Sequence, residues 1–258
     1  MKSVRIFVIL LITSLLVLVA CRAPGSPATT PPASAPAPAT KQATALKIKW
    51  LGQSTFLITS SGDIRIITDP YTPSSRLNYG EINESADIVT VSHEHSDHNN
   101  VAGVRGNPEV VRGTTEIKGI KFKAISSYHD ASQGKERGNN TIICFEVDGV
   151  RICHLGDLGH LLSAQQVTEI GKVDILLIPV GGNYTIDANV ASQTVDLLKP
   201  AVAIPMHYQT DKTTLPLAGV DEFLQGKKNV TRLDTSELGV KVGQLPAQTQ
   251  IMVPKPAR

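Results

Sequence analysis

The sequence predicts an α/β domain, and three observations carry that expectation. Short β-rich runs open the globular part, helix and strand pairs alternate behind them, and polar residues with metal-binding chemistry gather just beyond strand ends. A chain of 258 residues, 41% of them hydrophobic, can bury one sizeable core and carry short appendages.

The appendages come first. Lys2 and Arg5 precede an apolar run from Ile6 to Ala20 that closes with "LVAC", Leu18 to Cys21. A membrane span wants about 20 apolar residues, so the shorter stretch at residues 1–21 reads as an export signal, with an uncleaved anchor as the alternative. Its ending resembles the bacterial lipobox, which implies lipidation of Cys21 and an exported protein held to a membrane by that lipid. Residues 22–45 are rich in Pro, Ala, Ser and Thr and have no apolar periodicity. Such a segment cannot offset its ordering entropy and reads as a disordered, extended tether. Removing Lys2 and Arg5 with the signal leaves 23 basic residues against 23 acidic ones, so net charge argues against a nucleic-acid partner. No repeat or coiled-coil pattern points to a protein partner or an oligomeric state.

The domain spans 46–258. "LKIKW", "TFLIT" and "DIRIITD" read as a meander of strands, and "ADIVTVS" as a buried strand ending at Ser92. "TIICFEV" and "VRICHLG" flank Asp148-Gly149, a strong signal for a two-residue hairpin. A loop of those two residues pairs Val147 with Val150 and Cys144 with Cys153. The cysteine pair then falls at a non-hydrogen-bonded position with Cα atoms about 4.5 Å apart, which allows either a cross-strand disulfide or two reduced packing cysteines. Further on, Ser163 and Gln166 form a capping box and Gly171 a helix stop. "VDILLIPVGG" is the next buried strand, Asp187 caps a helix that ends by Pro200, and "AVAIPMH" is a strand that delivers His207.

The chemistry concentrates in "VSHEHSDHNN", Val91 to Asn100, which holds three of the seven histidines and an aspartate. His93, His95 and Asp97 alternate, so an extended segment would point them to one side, and His98 follows where the chain can turn into a helix. His93 and His95 can then bind one metal while Asp97 and His98 bind another. Imidazole suits zinc and several other first-row ions, and a carboxylate hardens the second site.

This cluster resembles the His-x-His-x-Asp-His signature of the metallo-β-lactamase superfamily. "WLGQSTFLI", "ITDPY", "GDLGH", "PVGGNYTID" and "IPMHY" are similar to its lactonase-like branch, which includes ascorbate-6-phosphate lactonase relatives. The resemblance implies an αββα four-layer sandwich with the metals at one sheet edge. It places His93, His95 and His129 on a first divalent ion and Asp97, His98 and His207 on a second, with Asp157 bridging both. Zinc leads as the implied ion, with manganese and iron as alternatives. Asp69 resembles a buried aspartate that orients a ligand histidine. His160 resembles the branch's "GDLGH" pattern and is a candidate to reach substrate, whereas His154 reads as a core histidine.

The implied activity is hydrolysis of a small-molecule ester or lactone by a hydroxide shared between two ions, with Asp97 orienting the hydroxide. A general acid would come from Tyr184, Tyr208 or His160. A phosphodiesterase or nuclease of the same fold is the main rival, although the stretch from Asp157 to His207 is too short for a large substrate-clamping insertion. A tethered metal-binding or ligand-binding lipoprotein without turnover is the rival from another class. Arg137, Asn139 and Asn140 are either donors to substrate or parts of a loop cap.

Overall fold

The computed structural model describes residues 46–241 and 243–258. The expected signal, Cys21 and the 22–45 tether lie outside the described residues. Five strands come first: β1 (Leu46–Gly52), β2 (Thr55–Thr59), β3 (Arg65–Thr68), β4 (Ser85–Thr90) and β5 (Arg105–Val111). Next are β6 (Thr115–Ile117), β7 (Ile120–Tyr128), β8 (Asn139–Val147) and β9 (Val150–His154). The chain then alternates through α1 (Ala164–Ile170), β10 (Ile175–Pro179), α2 (Ala188–Leu198), β11 (Val202–Met206) and α3 (Val220–Leu224). It closes with β12 (Val230–Arg232), β13 (Glu237–Val240) and β14 (Gln250–Val253). No helix among the described residues is long and apolar enough to cross a membrane.

Two sheets form, one ordered β13-β1-β2-β3-β4-β5 and the other β12-β14-β11-β10-β9-β8-β7-β6. In the first, β3, β4 and β5 run parallel, and in the second β9, β10, β11, β14 and β12 do. Period-2 alternation decides which side chains meet between the sheets. Ile48, Trp50, Phe56, Ile58 and Ile66 of the first sheet share one buried cluster with Ile143, Phe145, Ile152 and Leu177 of the second. Each such side chain contributes roughly 1.5–3 kcal/mol by leaving water.

The opposite face of the first sheet presents Leu51, Ile67 and Val89, which pack under Tyr71, Leu77, Tyr79 and Ile82. These cover residues come from the crossover between the parallel strands β3 and β4, a loop that begins with Asp69 and contains Pro70 and Pro73. The sandwich is therefore as expected, but this outer layer is loop rather than helix. Both prolines lack a backbone donor, which disfavours a helix there.

Local signals hold where they rest on backbone chemistry. Ser163 and Gln166 make the capping box, Asp187 accepts from Val190 N at 2.9 Å, and Gly171 ends α1 with a φ of 67°. The Asp148-Gly149 hairpin pairs Val147 with Val150 and Cys144 with Cys153, and the two cysteines are disulfide-bonded with Cα atoms 4.1 Å apart. Two expectations shift. β4 stops at Thr90, because Ser92 N donates to the Asp69 carboxylate instead of to a strand. After His98 there is no α-helix but a turn, closed by His98 N on His95 O, and then a 3₁₀ turn at Val101–Gly103.

Candidate metal centre

Every expected ligand follows the carboxyl end of a strand. β4 leads to His93, His95, Asp97 and His98, β7 to His129, β9 to Asp157 and β11 to His207. The loops pack so closely that side chains are excluded at two glycines. A Cβ on Gly159 would collide with the His129–Asp130 backbone, and one on Gly181 with the His207 carbonyl. His207 itself has a φ of 51° and Asp69 one of 37°, left-handed conformations that cost roughly 1–3 kcal/mol each and that a surrounding structure must enforce.

The side chains converge on one oxygen. Asp157 Oδ2 lies 3.1 Å from His98 Nε2, 3.2 Å from His129 Nε2, 3.3 Å from His207 Nε2 and 4.0 Å from His93 Nε2. His93 Nε2 and His95 Nδ1 are 3.1 Å apart, and Asp97 Oδ2 is 3.4 Å from His98 Nε2. Ligand atoms of His93, His95 and His129 all lie within 4.8 Å of one another, as do those of Asp97, His98, Asp157 and His207. Of these seven, all but His95 and Asp97 are buried.

Buried polar groups need partners. Asp157 Oδ1 has no hydrogen-bond partner, and His98 Nε2, although near Asp157, is not aligned to bond it. Imidazole nitrogens and carboxylate oxygens left facing one another in a largely buried cluster are the donor set of a divalent first-row ion, so the residues fit metal.

The surrounding hydrogen bonds fix which ring nitrogen faces inward. His98 Nδ1 donates to Asp69 Oδ2 at 2.9 Å, leaving the Nε2 lone pair for an ion. Ser92 Oγ donates to the same oxygen at 2.5 Å and therefore accepts from His93 Nδ1 at 2.9 Å. Asp69 thus orients His98 directly and His93 through Ser92, the arrangement that tunes metal sites. Buried Gln53 donates from Nε2 to Asp97 Oδ2 at 3.1 Å. Asn140 accepts from Asp157 N and donates to Leu155 O, which fixes the backbone that carries Asp157.

Charge is divided unevenly across the cluster. Burial, with repulsion from His98, pushes His93 down to about 3, and burial with His129 lowers His95, so both stay neutral. Burial opposes charge on Asp157, but His207 and His98 hold its carboxyl well below the usual range. Asp97 is likewise lowered, His98 outweighing burial. The reciprocal effect raises His98 and His207 despite their burial, chiefly through Asp157.

The family model described as a Beta-lactamase superfamily domain matches residues 47–207. A protein of Thermotoga maritima assigned as a Zn-dependent hydrolase of the metallo-β-lactamase superfamily superposes with a TM-score of 0.67 at 37% identity, covering 81% of this chain and 98% of that one. The chain belongs to the metallo-β-lactamase superfamily. Another similar member is the UPF0173 metal-dependent hydrolase of Thermococcus onnurineus, 31% identical over 64% of this chain and 85% of its own. A metallo hydrolase of Ignicoccus hospitalis shares the fold, with a TM-score of 0.56 at 23% identity over 82% of this chain and 96% of that one.

In this superfamily member the expected ligands meet, but His160 does not join them. It accepts from Tyr128 N at 3.2 Å, donates to Leu161 O at 2.9 Å, and lines a separate cavity beside α1. That corrects its expected role in reaching substrate. Tyr208 is also displaced from the chemistry, packed on Trp50 with ring centroids 5.2 Å apart. His154 is a core histidine, donating to Ser54 O and accepting from Gly156 N. Tyr184, Arg137 and the candidate ligands His95, Asp97, His129, Asp157 and His207 line a cavity of about 410 Å³.

Ser92 and Gln53 escaped the sequence reading. Their signal was slight: a serine directly before the first ligand, and an uncharged amide inside the apolar run "WLGQSTFLI".

Proposed function

We propose that this protein is a metal-dependent hydrolase that uses two divalent zinc ions to cleave a small ester or lactone. The observation that carries the reading is the single oxygen of Asp157 facing imidazoles of both ligand groups. His93, His95 and His129 would hold one ion, and Asp97, His98 and His207 the other. The names of the relatives from Thermococcus and Thermotoga support metal-dependent hydrolysis as the reaction class. Bound there, two ions would supply an activated water and polarise the carbonyl oxygen of the ester, which makes its carbon the point of attack.

The chain's own residues supply the rest. Asp97, held by Gln53 and kept ionised by His98, accepts a hydrogen bond from the attacking water and orients it. Asp69 and Ser92 keep the lone pairs of His98 and His93 aimed inward. Tyr184 is the phenol lining the cavity and is the candidate to hydrogen-bond a leaving oxygen. A cavity of about 410 Å³ suits a small molecule, which favours it over a nucleic acid as substrate. The N-terminal residues extend the proposal: export, lipidation of Cys21 and a 22–45 tether would place the hydrolase at a membrane surface.

The test is hydrolysis of a panel of 4-nitrophenyl esters, γ-lactones and bis(4-nitrophenyl) phosphate by the full chain after chelation and after reloading with zinc, manganese or iron. Turnover that disappears on chelation and returns with one ion supports the reading. Turnover that persists without metal, or an exclusive preference for phosphodiesters, overturns it.

A further inference from the structure

Arg137 is placed with unusual care for a loop residue. It follows a turn built around the carboxylate of Asp130, which accepts from four backbone N–H groups, those of Ser132, Gly134, Glu136 and Arg137, at 2.7–3.0 Å. The same turn is locked to the metal ligand His129, whose N–H donates to Gly138 O at 3.0 Å. The guanidinium then sits over the Tyr184 ring, 5.6 Å from its centroid, within reach of a cation–π attraction. A long flexible side chain is thereby held in the cavity wall beside the metal ligands.

The charge around it is unbalanced. Its ion pair among the described residues is with its neighbour Glu136 at 3.6 Å, a carboxylate 62% exposed to water. The carboxylates lining the cavity are Asp97 and Asp157, both committed to the metal cluster. Arg76 adds a second guanidinium to the same wall and makes no ion pair among the described residues. Arg137 also borders a neighbouring cavity of about 420 Å³, so with His95 it lies in the wall of both cavities. A partly buried guanidinium with a fixed stem and open donors is a receptor for a planar anion.

We propose that the substrate is an anionic ester or lactone whose free carboxylate or phosphate is gripped by Arg137, with Arg76 supplying a second positive charge at the same wall. This rests on the hydrolase reading above and names the class of substrate. The reaction stays balanced: water adds to the carbonyl carbon, the carbon–oxygen bond to the leaving group breaks, and the leaving oxygen takes the proton. The anion is a spectator that sets orientation and KM.

The experiment compares two matched esters, 4-nitrophenyl butyrate and the mono-4-nitrophenyl ester of glutaric acid, on the zinc-loaded full chain and on Arg137→Gln and Arg76→Gln. The expected result is a kcat/KM for the glutarate ester higher by about tenfold or more, the worth of one charge-assisted hydrogen bond. In Arg137→Gln that ratio should collapse, mainly through KM, with metal content retained. Hydrolysis of butyrate at equal or better efficiency leaves the hydrolase reading standing and overturns the anion site, as does an equal loss on both esters in Arg137→Gln. If neither ester turns over, free glutarate and inorganic phosphate serve as ligands in thermal unfolding. Stabilisation lost in Arg137→Gln supports the anion site without the esterase, whereas no stabilisation, or stabilisation that survives the substitution, overturns it.

Discussion

Replacing Asp69 by Asn should weaken both metal sites at once. The native carboxylate is fully buried and accepts three hydrogen bonds, from Ser92 N at 2.8 Å, Ser92 Oγ at 2.5 Å and His98 Nδ1 at 2.9 Å. An amide of the same shape keeps one oxygen, so either flip sets an N–H against at least one of those donors. Each charge-assisted bond lost costs about 1.5–3 kcal/mol. If the amide N–H faces His98, the imidazole can satisfy it only by moving its proton to Nε2, the nitrogen that should bind metal. A supporting residue of this kind typically changes metal affinity 10- to 100-fold, about 1.4–2.8 kcal/mol. Because Ser92 passes the same carboxylate on to His93, both zinc equivalents should weaken in a titration against a chromophoric chelator. Wild-type affinity for both equivalents would refute the role of Asp69, and weakening confined to one would refute the relay through Ser92.

Three further outcomes are expected. Gln53→Ala removes the donor that holds Asp97 and should lower kcat by roughly tenfold with metal content retained, as steady-state kinetics beside metal analysis would test; loss of metal without loss of kcat per bound ion would contradict it. Metal uptake should release protons, because Asp157 raises His98 and His207 from the usual histidine value and an incoming ion must displace the protons they hold. Affinity at their site should therefore fall as pH falls, while the site of the neutral His93 and His95 should lose less, a difference that calorimetry in buffers of unequal ionisation enthalpy would resolve. Replacing Cys144 and Cys153 together by Ser should cost about 2–3 kcal/mol in urea unfolding, the chain-entropy value for so short a loop, and wild-type stability in the variant would count against a formed disulfide.

The metal cluster was legible because few other pressures place His, His, Asp and His within six residues, and because strand-terminal loops are where such groups serve a site. His129, Asp157 and His207 came from the family pattern rather than from their own surroundings in the sequence. His160 was misread for the converse reason. Its "GDLGH" context resembles a functional motif, but both ring nitrogens are occupied by backbone groups, and a bond to Tyr128 N, 32 residues away, leaves no local trace. Ser92 and Gln53 were invisible because their contribution lies in hydrogen bonds to Asp69 and Asp97, carboxylates that only the fold brings near. The buried face of the β3 to β4 crossover was hidden similarly: Tyr71, Leu77, Tyr79 and Ile82 follow no helical or strand period, so their burial depends on the path of an irregular loop. The hairpin at Asp148-Gly149 and the two helix caps were readable because each is set by residues within a few positions of one another.

Metal content of the full chain under saturating zinc, measured by plasma mass spectrometry beside a His98→Ala/His207→Ala variant, tests the two-site cluster around Asp157 most directly. The geometry predicts about two ions per chain, falling to about one in the variant. One ion or none in the native protein, or a count that the double substitution leaves unchanged, would contradict it.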